Sequence, residues 1–329
     1  CYALCAWHRS RTMISVDLQF ISIGFAGLMA LHWLLVIREG ILFEKRSREF
    51  ERSAKTPLAN PPLVTVIVPA KNEEAGIGPC LASLAAQKYQ RLEIIAVDDR
   101  SSDRTGAIMD EAAAKPNSRT RVIHVDSLPE GWLGKNHANH LASLSASAES
   151  KYLLFTDGDV IFDPDTITGA VAHCEKHSID HLVIAPYMIA DDPWLSAVQL
   201  VFGIGFITFL RPSRLGKTKN AYVGIGAFNL VRRSLYQSCG GHLPLRLEVL
   251  DDGMLGKILV QNGAKCDIVN GKRLLQLIWY HSLGGFVNGL EKNGFAVFRY
   301  SLLRAFAFAV VHLLIYISQY VMIFVTTGA

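Results

Sequence analysis

Two carboxylates, Asp157 and Asp159, end an apolar run in the segment LLFTDGDV, with a single glycine between them. Carboxylates one residue apart at a strand end can converge on one hard cation such as Mg²⁺ or Mn²⁺, whose other positions are filled by water and substrate phosphate. Asp-Gly dipeptides also favour turns, so the two aspartates alone fit either a cation site or a turn. A second acid pair, Asp98 and Asp99, ends the strand-like run IIAVDD. Together the two pairs favour a site for a divalent cation and a nucleotide diphosphate.

Two common nucleotide-binding loops are absent from the sequence. No G-x-G-x-x-G follows a predicted strand, and no G-x-x-x-x-G-K-[ST] occurs anywhere. Dinucleotide-dependent redox enzymes and P-loop phosphoryl-transfer enzymes carry these loops because the glycines let backbone amides approach phosphate. Both classes are therefore excluded.

The elements that would position these acids alternate between short β-branched runs and helical patterns. Strands are predicted at 63–70, 91–99, 120–126 and 152–157, with helices between them. Such alternation is typical of a mostly parallel sheet with helices on both faces, in which ligands bind outside the carboxyl ends of the strands. Both acid pairs are predicted to lie at those ends.

Two long apolar segments predict membrane spans. Residues 14–37 carry no charge after Asp17 for about 20 residues, the length needed to cross a bilayer core. Residues 305–327 form a second such run. A cleaved signal peptide is the alternative for the first segment, but its basic residues follow it and no small-residue cleavage site is evident. Lysines and arginines at 38–55 and 292–304 favour a cytoplasmic position for the residues between the spans, and so a multi-pass protein of the cell membrane.

Composition and charge agree with this interpretation. Half of the 329 residues are hydrophobic and 19% are charged, which is too apolar for an ordinary soluble domain. The six cysteines have no zinc-type spacing, which favours free thiols in a reducing compartment. A net charge of +4 is small and fits attraction to anionic lipid rather than to nucleic acid.

The predicted organisation has five parts along the chain. They are a non-native or incomplete leader (1–13), a transmembrane anchor (14–37), a basic juxtamembrane linker (38–60), one α/β domain with two halves (61–293, divided into 61–180 and 181–293), and a second transmembrane helix (305–327). Two further apolar stretches, 194–210 and 274–295, predict interfacial or core helices, the first being short for a span.

An ordered series of motifs carries a resemblance to a known family. The motifs are VTVIVPAKNEE, IIAVDDRSSDRT, GWLGKNHA, LLFTDGDV, GIGAFNLVRRSLYQSCGGH and LDDGML. Over roughly residues 62 to 293 the series resembles family 2 inverting glycosyltransferases with the GT-A fold. The LPEGWLGK loop and the flanking spans are similar to the hopanoid- and carotenoid-associated members. The resemblance implies a GT-A nucleotide-diphospho-sugar transferase fold, a nucleotide-sugar donor that is usually UDP-linked, and a divalent metal, Mg or Mn.

The resemblance also implies which residues of the first half bind the nucleoside. Ala70 and Glu73, in the turn PAKNEE, match positions that contact it. Either Asp98 or Asp99 matches the acid that reads the uracil or ribose, and both remain candidates.

The diphosphate is expected to bind at three further positions. Lys135, in GWLGK, matches a basic residue near the diphosphate, where a helix start adds positive charge. A solvated surface lysine is the alternative. Asp157 and Asp159 match the family's metal and diphosphate motif, with Asp159 the expected direct ligand of the metal.

The second half is expected to bind the acceptor. Inverting transfer needs one base that takes the proton of the acceptor hydroxyl as it attacks the anomeric carbon. In LDDGML the resemblance assigns that role to Asp252, while Asp251 stands where the family usually has Glu. Acids at the start of a helix are the alternative explanation for this pair. Gly226, where backbone could approach substrate or simply turn, and His242, which could equally be structural, complete the acceptor region.

The sequence therefore predicts a membrane-anchored enzyme that moves a single sugar to a lipid-like acceptor, such as a hopanoid or carotenoid. The QxxRW motif of processive synthases is reduced here to QLIW, which favours single transfer over polymer synthesis. A polyprenyl-phosphate sugar transferase is one alternative. A non-catalytic membrane scaffold that retains the nucleotide-binding fold is the other.

Overall fold

The computed structural model of the chain describes residues 2–55, 58–298 and 300–327, and it describes side chains from Ile23 onward except for several in the last two helices. The chain divides into two units, Glu39–Asn293 and a second that comprises Cys1–Arg38 and Gly294–Ala329. The prediction of a leader at 1–13 and the start of the predicted anchor, 14–22, fall on residues whose side chains are outside this description, as does the end of the predicted span at 318–327.

The unit Glu39–Asn293 is built around one sheet of eight strands. In chain order these are β1 (Leu63–Ala70), β2 (Leu92–Asp98), β3 (Thr120–His124), β4 (Ser150–Phe155), β5 (Ile161–Phe162), β6 (His181–Met188), β7 (Asn229–Arg232) and β8 (Cys266–Leu277). They lie in the order β3-β2-β1-β4-β7-β6-β8-β5. The pairs β3–β2, β2–β1, β1–β4 and β6–β8 are parallel, whereas β7 is antiparallel to both of its neighbours and β5 to β8. The predicted mostly parallel sheet is confirmed.

The sequence of β1 explains its central position. LVTVIVPA is β-branched and apolar, and every residue after Leu63 is buried, as expected of a strand covered on both faces. Its register places Ala70 opposite Asp98 of β2, and Ile67 opposite Phe155 of β4. Because the strands are parallel, the residues that follow β1, β2 and β4 meet at one edge of the sheet.

The described residues contain ten α-helices. They are α1 (Tyr2–Ala54), α2 (Ile77–Ala85), α3 (Thr105–Ala113), α4 (Gly134–Ser145), α5 (Thr166–His177), α6 (Pro193–Leu210), α7 (Arg233–Ser238), α8 (Asp251–Gln261), α9 (Leu283–Val297) and α10 (Leu302–Thr327). The stretch 274–295, predicted as one interfacial or core helix, is instead the end of β8 followed by a loop and most of α9. That prediction was wrong for 274–277, because pairing with β5 and β6 extends the strand.

Helix α6 is apolar but largely exposed. Of its 18 residues only Leu195 and Gln199 are buried, so the core-helix alternative for 194–210 was wrong. By length and composition, Pro193–Arg214 and Ile23–Ala54 are each apolar enough to cross a membrane, although 194–210 was predicted to be short for a span. In the described part of α10, Leu302–Val311 is a shorter apolar helix.

The last turns of α1, within the predicted linker 38–60, pack against the sheet unit. Phe50 is buried in the core beside Gly169 of α5. Arg46 pairs with the buried carboxylate of Asp267, which His173 also contacts at 2.9 Å. Burial alone would raise the pKa of Asp267, but its hydrogen bonds with His173 and Arg46 hold that pKa below its usual range. One of the basic residues read as juxtamembrane is therefore the partner of a buried acid.

Candidate functional site

The acid pair of the DGD motif lies directly after β4. The backbone N–H of Asp157 donates to Gly226 O at 3.1 Å, because β4 and β7 run antiparallel and the loop before β7 lies beside the end of β4. A Cβ at Gly226 would lie 2.3 Å from Asp157 Oδ2. Glycine is therefore required at 226 to make room for the carboxylate, and Gly226 serves a close approach within the protein.

Asp159 lies on the other side of Gly158, beside the start of α2. A Cβ at Gly76 would lie 2.9 Å from the Cβ of Asp159, so glycine at the helix start admits this side chain. Burial and the charge of Asp157 raise the pKa of Asp159. Partial desolvation and the charges of Asp159 and Asp157 likewise raise the pKa of Glu73. Three acids thus repel one another at this edge.

A divalent cation fits this donor set. In the described residues no group of three His, Cys, Asp or Glu side chains could hold a metal by itself. Mg²⁺ and Mn²⁺ accept one or two protein carboxylates and take their other ligands from water and substrate phosphate. Asp157 and Asp159 match that requirement, and a cation there would relieve the repulsion that raises the pKa of Asp159.

Lys135 is the second residue of α4 and reaches the same edge of the sheet. Its Nζ donates to Asp157 Oδ1 at 2.5 Å and lies 4.0 Å from Asp251 Oδ1. Burial acts to lower its pKa, but Asp157, Asp251 and Asp252 outweigh burial and raise it. The ammonium therefore stays charged and stands between the DGD motif and the acid pair of α8.

Helix α8 begins with that pair. Burial and the charge of Asp251 raise the pKa of Asp252 to about 6, and burial raises the pKa of Asp251 as well. A Cβ at Gly224 would lie 1.8 Å from Asp252 O, and one at Gly256 would lie 1.9 Å from Val223 O. These two glycines let the loop before β7 contact the backbone of α8. The close contact brings the start of α8 to the loop that contacts the DGD motif.

The nucleoside candidates lie at the ends of β1 and β2. Asp99 N donates to Ala70 O at 2.8 Å, and Asp99 accepts two hydrogen bonds from Arg100. Asp98 accepts from Ser101 N at 3.1 Å and contacts His124 at 3.1 Å. Both acids are engaged within the protein, so their geometry does not separate the two candidates. Ala70 is the last residue of β1, and Glu73 lies in the turn that follows it.

His242 is buried near the acids of α8. Together with Lys135, Asp251 and Asp252 it lines a small cavity, along with residues of β4, β7, α4 and α8. Burial, His140 and Lys135 lower the pKa of His242 to about 3, so it is neutral. Three further polar residues of this cavity, Asn139, Thr156 and Asn229, were missed by sequence reasoning. Asn139 could have been found from its spacing, four residues after Lys135 on one helix face.

An aromatic cluster lies beyond the end of β8. Phe202 of α6 contacts Trp279 at a centroid distance of 5.0 Å, and Trp279 contacts Phe286 of α9 at 5.6 Å. Gln276 of β8 pairs with Ile161 of β5, two residues after Asp159. The cluster is thereby joined through the sheet to the segment that carries the DGD motif.

In open α/β sheets, ligands bind outside the carboxyl ends of the strands, which is where these acids lie. The sequence family described as glycosyl transferase family 2 matches residues 65–240, more than half of the chain. The chain belongs to family 2 of the glycosyltransferases.

Similar proteins agree with this assignment. The chain is 30% identical over 199 residues to a 4,4'-diaponeurosporenoate glycosyltransferase of Staphylococcus haemolyticus (strain JCSC1435), covering 59% of this chain and 50% of the relative. It is 25% identical over 230 residues to a protein of that name from Staphylococcus aureus (strain MRSA252), covering 68% of this chain and 58% of the relative. The chain thus spans little more than half the length of these curated relatives.

The fold has a counterpart among solved structures. A mannosyltransferase from Pyrobaculum calidifontis, in complex with GDP-Man and Mn²⁺, is similar with a TM-score of 0.56 and 20% identity, over 86% of this chain and 76% of that one. The fold is therefore GT-A-like, as predicted.

Proposed function

We propose that the protein transfers a single sugar from a nucleotide sugar, with UDP as the expected nucleotide, to a lipid-like acceptor with inversion at the anomeric carbon. The observation that carries the proposal is the position of Lys135, 2.5 Å from Asp157 and 4.0 Å from Asp251. One ammonium group therefore joins the acids expected to bind the donor diphosphate to the acids expected to activate the acceptor.

Each residue has a defined part in the proposed reaction. A divalent metal held by Asp157 and Asp159 would neutralise charge on the departing diphosphate. Lys135 adds a second positive charge at the diphosphate. Asp252, with a pKa of about 6, is ionised at neutral pH and takes the proton of the acceptor hydroxyl. The charge of Asp251 raises the pKa of Asp252, so Asp252 is a stronger base.

The donor is proposed to lie across the ends of β1, β2 and β4. Ala70, Glu73 and one of Asp98 and Asp99 are the proposed contacts to the nucleoside. The similar mannosyltransferase fold holds GDP-Man and Mn²⁺, which supports a nucleotide sugar and a metal in general. The preference for UDP rests on the motif resemblance, so UDP and GDP have to be compared directly.

The acceptor is proposed to be apolar and to approach from a membrane. The named relatives act on diaponeurosporenoate, and α6 presents an exposed apolar surface next to the aromatic cluster. Four exposed cations follow α6, which suits anionic lipid heads: Arg211, Arg214, Lys217 and Lys219. The protein is accordingly proposed to be a multi-pass cell-membrane protein with its catalytic unit in the cytoplasm.

A transfer assay with an aromatic-cluster variant tests the acceptor proposal. Phe202→Ala should raise the KM for a long-chain apolar acceptor roughly tenfold, because it removes one ring from the proposed path of the acceptor. The Kd for UDP should not change. The assay uses full-length protein in detergent, a radiolabelled UDP-sugar and a total lipid extract, with polyprenyl phosphate as a separate acceptor.

Leu144→Ala is the control, because it shortens an exposed apolar side chain outside the cluster. Transfer to polyprenyl phosphate alone would favour that alternative, and UDP binding without transfer to any acceptor would favour the scaffold. An unchanged KM in Phe202→Ala would remove the aromatic cluster from the acceptor path.

The pKa of Asp252 predicts how transfer depends on pH. The base acts in its ionised form, so kcat/KM should fall as pH decreases through about 6. Asp251→Asn should move this acid limb to lower pH, because the charge of Asp251 helps to raise the pKa of Asp252. Initial rates from pH 4.5 to 8.5 for both proteins measure the shift. A limb that moves to higher pH in the variant would contradict the assignment.

A further inference from the structure

The cavity that Lys135 and His242 line has room for one small polar group. Its volume is about 10 Å³, close to the least that holds a water molecule. Lys135, Asn139, His242, Asp251 and Asp252 are among its lining residues. A water in a protein interior is stable when two to four polar groups face it.

Asn139 supplies an acceptor without a partner. The residue is 2% exposed, and its Oδ1 atom makes no hydrogen bond with any described residue. A buried carbonyl oxygen left unpaired costs about 1–3 kcal/mol. Asn139 is one of the residues that line the cavity, so a ligand there that donates a hydrogen bond would satisfy this oxygen.

A chain of buried hydroxyl groups determines which nitrogen of His242 can accept. Ser143 Oγ donates to His140 O at 2.7 Å, so it accepts the Tyr236 hydroxyl proton at 3.1 Å. The Tyr236 oxygen then accepts from His242 Nδ1–H at 2.7 Å. In a neutral imidazole the other nitrogen carries a lone pair, so Nε2 is an acceptor, and it has no partner among the described residues.

We propose that one water molecule occupies this cavity. It donates hydrogen bonds to Asn139 Oδ1 and His242 Nε2 and accepts one from the Lys135 ammonium. Asn139 and His242 are then positioning residues: they hold Lys135 between Asp157 and Asp251 through this bridging group. A water is required at this position, because a sugar hydroxyl has a single proton and cannot donate to both acceptors. This inference deepens the proposed function and rests on it only for the role of Lys135 in binding the diphosphate.

The test is Asn139→Leu in the full chain, which keeps the shape of the side chain and removes its acceptor. If the cavity holds the bridging group, the variant should have a lower Tm than the wild type and bind UDP with Mn²⁺ roughly tenfold more weakly. If Asn139 Oδ1 is an unpaired atom in an empty cavity, removing it should raise the Tm and leave UDP affinity unchanged. That second result would overturn the proposal.

Thermal unfolding is measured under three conditions: without nucleotide, with UDP, and with UDP-glucose. A lower Tm of the variant already in the nucleotide-free protein identifies water. A lower Tm only with UDP-glucose would overturn the proposal, because it would indicate a sugar hydroxyl in place of the water. A variant that matches the wild type in all three overturns the proposal, and the nucleotide-free measurement is independent of whether the protein transfers sugar.

Two further variants complete the experiment. Tyr236→Phe retains the ring but frees the proton of His242 Nδ1, so it should also weaken UDP binding. Unchanged affinity in Tyr236→Phe would remove His242 from the bridge. Gln199→Leu is the matched control, since Gln199 is another buried amide without a partner in the described residues, but it does not line the cavity. It should not weaken UDP binding.

Discussion

Asp252→Asn is expected to lower kcat for sugar transfer by about 10³-fold while the Kd for UDP stays within about twofold of the wild type. The amide has the size of the carboxylate but cannot accept the proton of the acceptor hydroxyl. The donor site is expected to remain, because Lys135 keeps its 2.5 Å contact with Asp157. Single-turnover transfer from a UDP-sugar, together with titration of UDP in the presence of Mn²⁺, measures both quantities.

The control for this substitution is Asp126→Asn, because Asp126 is an exposed acid in a loop outside the site. A variant at position 252 that kept full activity would overturn the assignment of the base. It would also indicate an acceptor that needs no deprotonation, such as a polyprenyl phosphate or a carboxylate. Diaponeurosporenoate, the compound in the name of the relatives, is itself a carboxylate, so the result bears directly on acceptor class.

Asp159→Asn is expected to abolish the dependence of UDP binding on Mn²⁺ and to weaken that binding at least about 100-fold. The same variant should be more stable than the wild type in the absence of metal and nucleotide. The pKa of Asp159 is raised by burial and by Asp157, so its ionised form is disfavoured in the folded state. Replacing it with a neutral amide removes that cost at neutral pH.

Isothermal titration with UDP and with GDP, each with and without Mn²⁺, measures the binding, and thermal unfolding without ligand measures the stability. Asp165→Asn is the control, because Asp165 is an exposed acid a few residues further on that pairs with Lys88. If Asp159→Asn bound UDP and Mn²⁺ as the wild type does, the metal assignment would be lost. Stronger binding of GDP than of UDP by the wild type would replace UDP as the proposed donor nucleotide.

The donor half could be read from the sequence because its signals are local. The strands β1, β2 and β4 are apolar runs that end at turns, and in a parallel sheet this alone puts Ala70, Asp98 and Asp157 at one edge. The start of α4 at Gly134 likewise places Lys135 at a helix N-terminus. These inferences needed no knowledge of long-range packing.

The remaining features depend on contacts between distant segments. The pairing of β7 with β4 and β6 is antiparallel, and no local pattern specifies it. The contact of Gly224 with the backbone of α8 sets the position of Asp252, yet a glycine in sequence does not reveal what approaches it. The burial of Asn139 also depends on packing, because an asparagine suits a surface loop equally well. The exposure of α6 does too, because its apolar sequence would suit a core helix.

The docking of α1 defines where this protein can be shortened for biophysical work. The family match begins at residue 65, but a protein cut there would lose Phe50 from the core. It would also leave Asp267 buried without its arginine partner. Residues from Glu39 onward belong to the same unit as the sheet, and Glu39 itself binds Ser213. A folded, truncated catalytic unit therefore has to start at or before Glu39, inside helix α1 and well before the family match at residue 65.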